Sequence, residues 1–341
     1  MVTIGNYSGF KIFEPAPEII PESKIQVDKS IQANREFLAD LRPDKQNAKP
    51  ITGSFIYAHA PDYVGNYTLN WNERNWELAF DQLKEKNIDT VIFQASIWNE
   101  LQEVYYKSQK FSSFHCWDVV EPMLNAAKEK NLTVFLGGYG SISGWNLKLN
   151  DNDVMEEIKH QTDCFCELLR YKDLFDGIYY SPETAFRGIR DFQREQRLHW
   201  IYQTYFRKIK EMTPDKKILI SPASKWFPGK EEDFIASWLT LLDDVPLDIL
   251  APQDSIGCSG CKLQNMADMW KLWRKVADSA NLSLWANIEL FERQDFGGAA
   301  PFKTADHKRI IQQCCEVVPY VEKCICWEAL YFDLPDLSTQ D

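Results

Sequence analysis

Short apolar runs return eight times along this chain, each followed by a longer stretch of helical periodicity, and that rhythm limits its folds more than any other feature. The runs are Ile51–Ala58, Thr90–Ala95, Thr133–Tyr139, Gly177–Tyr180, Lys217–Ile220, Asp248–Ala251, Ser283–Leu290 and Cys324–Trp327. Their starts lie roughly 30 to 45 residues apart, the length of one βα unit with loop decoration. Between them Trp76, Ala79, Phe80 and Leu83 fall on one helical face. Asn70 or Asn72 is placed to cap that helix, and Glu73 suits its first turn. Similar helices are predicted near Trp117–Lys130, Asp153–Tyr171, Phe192–Glu211, Glu232–Leu242, Leu263–Ala280 and Ala305–Tyr320. Asn87, Asn131 and Asn281 stand at helix ends, where a left-handed residue is wanted.

Eight parallel strands alternating with helices either close into a barrel or lie open in a doubly wound sheet. No Gly-x-Gly-x-x-Gly turn follows the first run, which argues against a dinucleotide-binding sheet. The count of eight favours an α/β fold of the (β/α)8 TIM barrel type. Such a barrel uses about 250 residues as one domain, more with insertions, so a chain of 341 residues is long enough. Residues 1–50 differ from the rest. They are rich in Pro, Lys and Glu, with one short helix predicted near Ser30–Leu41. They read as an N-terminal extension that drapes over the barrel or is partly disordered, leaving 51–341 as the barrel domain.

The formal net charge is −12. Phosphate binding needs clustered Lys and Arg, so nucleic acid and anionic membrane are not expected as partners. A neutral or cationic small molecule fits better, although acidity also simply maintains solubility. No run of about 18 apolar residues suggests a membrane span. Met1–Ile20 lacks a basic segment followed by an apolar one, so the chain reads as cytoplasmic as encoded, or secreted if a leader has been removed.

In a barrel of this type the active site lies at the C-terminal strand ends. Glu183 follows the fourth run and Glu289 ends the seventh. A glycosidic bond needs two carboxyl groups across it, one to protonate the leaving oxygen and one to attack the anomeric carbon or activate water. Strand alternation puts Trp285, Asn287 and Glu289 on one face and Leu284, Ala286 and Ile288 on the other, toward the helices. The plain structural alternative is that both glutamates cap loops or pair with Arg187 and Arg293. Asp254 and Glu328 are spare carboxylates at the sixth and eighth ends.

Tryptophan is the second feature. Trp98, Trp145 and Trp226 follow three different runs and Trp327 ends a fourth. Sugar rings stack their C–H faces on aromatic rings, while their hydroxyls need polar partners. His59, Gln94, Tyr139, Gln253 and Asn287 are available for that. Any one tryptophan is more often a packing residue; four around one rim suggest a carbohydrate groove.

The remaining signals are weak. Cys258-Ser259-Gly260-Cys261 lies on the catalytic face, but zinc needs about two further ligands, and no second C-x-x-C or H-x-x-x-H is present. No metal and no cofactor is expected. Nine cysteines, an odd number, read as reduced thiols. No G-x-S-x-G elbow is found, and no lysine lies in the C-terminal half of a strand, which disfavours a Schiff-base aldolase.

The segments Trp76-Glu77-Leu78-Ala79-Phe80, Thr90-Val91-Ile92-Phe93-Gln94, Ala251-Pro252-Gln253-Asp254 and Leu284-Trp285-Ala286-Asn287-Ile288-Glu289-Leu290-Phe291-Glu292 resemble the TIM-barrel family catalogued as domain of unknown function 4434. The resemblance covers roughly Pro50 to Tyr331. It implies a barrel, a relationship to barrel glycoside hydrolases, and Glu183 and Glu289 as catalytic positions. Members are often secreted, which this N-terminus does not show, and the Gly257–Cys261 loop departs from the family pattern.

The expected function is a retaining glycoside hydrolase acting on an oligo- or polysaccharide, with Glu183 as acid/base and Glu289 as nucleophile. The acid role requires a raised Glu183 pKa, and retention requires carboxyl groups about 5 Å apart instead of the wider inverting spacing. The rival readings are a non-catalytic carbohydrate-binding barrel and a barrel lyase or isomerase using Asp254, Glu328 and His59.

Overall fold

The computed structural model describes residues 21–58, 71–141, 150–293, 302–335 and 337, the first seven of them by backbone alone. Eight parallel strands close into a barrel. They are β1 (Ile51–Ile56), β2 (Thr90–Phe93), β3 (Thr133–Gly137), β4 (Gly177–Tyr180), β5 (Lys217–Ile220), β6 (Ile249–Leu250), β7 (Ser283–Glu289) and β8 (Lys323–Trp327). Each lies in one of the predicted runs, save that β8 begins one residue earlier. Spatial order follows chain order around the ring, and β8 pairs with β1 to close it, Ser54 opposite Cys326.

Helix α1 (Pro21–Ala39) precedes the barrel. Seven more alternate with the strands: α2 (Glu73–Glu85), α3 (Val120–Glu129), α4 (Asp151–Leu168), α5 (Phe192–Met212), α6 (Glu231–Leu242), α7 (Met266–Ala280) and α8 (His307–Glu316). The buried face of α2 is Trp76, Ala79, Phe80 and Leu83, as the periodicity predicts. Its cap is Asn72, which accepts from the Asn75 backbone N–H at 3.0 Å, while the Asn75 side chain accepts from the Asn72 N–H at 3.3 Å. Such a cap contributes about 1 kcal/mol. Asn70 lies outside the described residues. Asn87, Asn131 and Asn281 have φ of 62°, 54° and 54°, the left-handed geometry expected of them.

The interior is packed, not hollow. Phe55 of β1 meets Tyr179 of β4 edge-on at 5.1 Å, and Phe135 of β3 meets Trp285 of β7 at 5.8 Å. β3 comes so close to β2 that a Cβ on Gly137 would lie 2.2 Å from the Phe93 carbonyl oxygen. Backbone cannot yield as a flexible side chain can. Gly137→Ala is therefore expected to lower unfolding free energy by about 3 kcal/mol, the upper end for overpacking. Urea denaturation checks this, and an unchanged midpoint would contradict the close approach.

Helix α1 begins at Pro21, well before the predicted start, because proline suits a first helical turn. Pro43 disfavours a helical Arg42, and the helix stops short of it. It packs at the C-terminal rim. The Asn34 side chain accepts from the Leu263 N–H at 2.9 Å, Arg35 reaches Glu292 at 3.2 Å, and Lys308 donates to the Leu38 carbonyl. Two further pieces decorate that rim: a small sheet of Ile97–Trp98, Glu103–Val104, His115–Cys116 and Tyr139–Gly140, and a hairpin of Phe291–Arg293 with Phe302–Thr304.

Candidate active site

Glu289 is the last residue of β7, and its inward orientation follows from alternation. Trp285 meets Phe135 across the interior, Asn287 reaches the Ser221 hydroxyl beyond β5 at 3.0 Å, and Glu289 continues the same face. The loop after β6 wraps the Glu289 carboxyl. The Cys258 backbone N–H donates to Glu289 Oε2 at 2.8 Å. A Cβ on Gly257 would sit 2.2 Å from the Phe291 carbonyl oxygen and 3.0 Å from Glu289 Oε2, so only glycine lets this loop approach. The same loop holds Ser255 and Ser259 at φ of 55° and 67°. Strained backbone of this kind persists where surrounding structure enforces it.

Burial pushes the Glu289 carboxyl above the usual range. The Cys258 N–H and the Arg309 charge oppose that rise, while the charge of Glu183 adds to it. Asp254, buried beside it, is also pushed up, by burial and by Glu289. Asp254 accepts from the Ile256 N–H at 3.1 Å and from the Gln313 side-chain amide of α8.

Glu183, just past β4, is half-buried at the mouth. Protein around its carboxyl group raises its pKa to about 7, against the opposing effects of a hydrogen bond from Gln253 and the Lys225 charge. The Gln253 amide donates to Glu183 Oε2 at 2.7 Å. Gln253 is itself bridged to Asn287 on β7, which ties the two glutamates through one connected set of side chains and backbone. Cys258 senses the charge of both glutamates, and burial with those charges keeps its thiol neutral.

The other predicted residues divide. Gln94 hydrogen-bonds the Tyr179 hydroxyl, beside Glu183. Trp327 donates its indole N–H to the Tyr57 hydroxyl at 2.8 Å and packs against Phe291, Phe302 and Phe332. Trp226 is half-buried on the loop after β5, where its backbone N–H donates to the Gly260 carbonyl at 3.1 Å. Glu328 is fully buried beyond β8, and among the described residues neither carboxyl oxygen has a hydrogen-bond partner. Burial alone pushes it well above the usual carboxylate range.

Two residues are not brought into this group. Tyr139 stacks on His160 of α4 at 4.9 Å and lies against Phe111. Trp98 is buried, and a Cβ on Gly140 would come within 2.7 Å of its ring. His59 and Trp145 lie outside the described residues.

Sequence reasoning missed Arg309 and Gln313 of α8, Tyr57, Tyr179 and Ser221. The one available signal was on α8. Arg309 and Gln313 stand one turn apart on its buried face, where apolar residues are the norm. All nine cysteines are free thiols, Cys258 and Cys261 included. Among the described residues no group of three or more side chains is arranged to hold a metal, and no helix is long and apolar enough to cross a membrane.

A closed (β/α)8 barrel with carboxyl groups at its C-terminal mouth is shared by barrel enzymes of many chemistries, glycoside hydrolases among them. Residues 51–338 match the family described as Domain of unknown function (DUF4434), and the chain belongs to it. It is similar to the crystal structure of a provisionally assigned alpha-L-fucosidase from Bacteroides thetaiotaomicron VPI-5482, with a TM-score of 0.69, 21% identity, and coverage of 87% of this chain and 92% of that one. It is also similar to the exo-beta-1,4-mannosidase Op5Man5 from Opitutaceae bacterium strain TAV5, with a TM-score of 0.51 and 13% identity over 84% of this chain and 54% of that one. At these identities the likeness concerns the fold. No curated protein matches the sequence.

Proposed function

We propose that the protein is a retaining glycoside hydrolase of oligo- or polysaccharides, with Glu183 as acid/base and Glu289 as nucleophile. The observation that supports this reading is a pair of carboxyl groups, Glu183 and Glu289, close enough at the barrel mouth for the charge of one to act on the other. Glu183 is pushed up to about 7 by burial, so a large fraction of it holds a proton near neutral pH. Burial pushes Glu289 up as well, and there a main-chain N–H and the Arg309 charge oppose the rise and favour its ionised form.

In the first step Glu183 gives its proton to the leaving oxygen as the glycosidic C–O bond breaks and Glu289 bonds to the anomeric carbon. In the second, Glu183 takes a proton from water, whose oxygen displaces Glu289. The sugar leaves with its original configuration. In this reading Gln94, Gln253 and Asn287 would meet sugar hydroxyls, and Trp226 and Trp327 its apolar faces.

The test is hydrolysis of an aryl-glycoside and oligosaccharide panel, with the first-formed anomer read by proton NMR. Retention supports the assignment, and inversion removes Glu289 as nucleophile. The pH profile gives a second check. An acid catalyst must be protonated, so kcat/KM should decline as pH rises through about 7, and because the nucleophile must be ionised the raised Glu289 should give an acid limb as well. Activity flat to pH 9 would take the acid role away from Glu183.

A further inference from the structure

Glu289 stands where the β7 ladder ends, and both of its backbone polar groups are taken by buried charged side chains. Its N–H points at Asp254 Oδ1 in a long contact of 3.4 Å. Its carbonyl accepts from Arg309 Nη2 at 2.5 Å, and the same nitrogen reaches the Phe291 carbonyl at 2.7 Å. Arg309 and Asp254 are each 2% exposed. The Gln313 amide, one turn along α8 from Arg309, donates to Asp254 Oδ2. One face of α8 therefore holds the end of β7 directly, through Arg309, and indirectly, through Gln313 and Asp254.

A charge this deep is costly, and a hydrophobic helix face would pack the barrel at least as well. Main-chain carbonyls at a strand end do not by themselves call for a guanidinium. The reason to retain two opposite charges here lies in what they flank. We propose that Arg309 and Asp254 are positioning residues that fix the backbone of Glu289 and together set the protonation of its carboxyl group. This deepens the assignment of Glu289 as the nucleophile and rests on it for its functional meaning, although its physical content is independent of any substrate.

The charged and titratable groups facing Glu289 come from four places. Asp254 and Cys258 follow β6, Glu183 follows β4, Arg309 belongs to α8, and Glu292 follows β7 and acts on Arg309. Burial and Glu183 oppose ionisation of Glu289, and the repulsion by which Glu289 raises Asp254 is mutual. Arg309 is the buried cation on the other side of that balance. Removing its charge should leave the carboxyl harder to ionise, and removing the Asp254 charge should do the reverse.

The experiment is a carbon-13 NMR titration of the full-length protein labelled at the glutamate side-chain carboxyl carbon. The Glu289 signal is identified by its loss in Glu289→Gln. In Arg309→Met the Glu289 titration should move upward by about one pH unit, the low end for a charge within a few ångströms. In Asp254→Asn it should move downward, and in the double variant it should return toward the wild-type position. A residue that only holds the fold would lower the melting temperature and leave the titration where it was. A folded Arg309→Met protein with an unmoved Glu289 signal overturns the proposal. Should Arg309→Met fail to fold, an unmoved signal in Asp254→Asn overturns it equally. Because the readout needs no turnover, it stands apart from the hydrolysis panel. Loss of the glycosidase reading shows there, and loss of this inference shows in the titration.

Discussion

Glu289→Ala is expected to abolish hydrolysis, by on the order of 10⁴-fold or more, the scale on which loss of a covalent nucleophile acts. The side chain is buried at the end of β7, and its carboxyl is held by the Cys258 N–H at 2.8 Å. Truncation leaves that donor facing an emptied space at the anomeric position. A small anion such as azide should enter it, accept the hydrogen bond and attack the anomeric carbon. The leaving aglycone still departs, and the product is a glycosyl azide of inverted configuration. Aryl-glycoside turnover with and without azide, followed by NMR of the product, checks both halves of this expectation. If the variant keeps wild-type activity, the nucleophile lies elsewhere. If azide restores turnover with retained configuration, Glu289 is acting as the acid/base.

Glu183→Ala is expected to act according to leaving group. A proton donor matters in proportion to how badly the departing oxygen needs the proton. Loss should be about 10²–10⁴-fold on unactivated glycosides, the usual contribution of a positioned acid, and small for cleavage of the bond to a dinitrophenyl group. The decline of activity above about pH 7 should vanish with it, since that limb belongs to a carboxyl raised by burial. Circular dichroism separates these effects from misfolding, because Gln253 also loses its 2.7 Å partner in this variant. Equal losses on good and poor leaving groups would argue for a binding role and against proton transfer.

Much of the fold was legible because it rests on local periodicity. The α2 stripe of Trp76, Ala79, Phe80 and Leu83 is a matter of spacing along a few turns, and the asparagines at helix ends answer to local backbone geometry. The inward direction of Glu289 was legible for the same reason, since alternation along β7 needs no partner strand. The rim was much less so. Tyr139 reads in the sequence as a polar partner for sugar hydroxyls, and its ring lies on His160 and against Phe111 because the small rim sheet ties Tyr139–Gly140 to Ile97–Trp98. Trp98 is caught in the same contact. A side chain one or two residues past a strand end is aimed by its loop, and loop geometry does not repeat.

What the sequence alone determined here is the order and kind of the elements, the closing of eight strands into one barrel, and which end of each strand carries chemistry-bearing residues. Those follow from short-range patterns of apolar residues and from the few ways that alternating strands and helices pack. Only the tertiary structure decided which of these residues meet. Gln253 reaches Glu183 across 70 residues of chain, and Gln313 reaches Asp254 across 59. Such contacts depend on the ring closing in one register, and no local pattern records them. The support of Glu289 by Arg309 is of the same kind: it belongs to no motif and comes into being when α8 packs against β7.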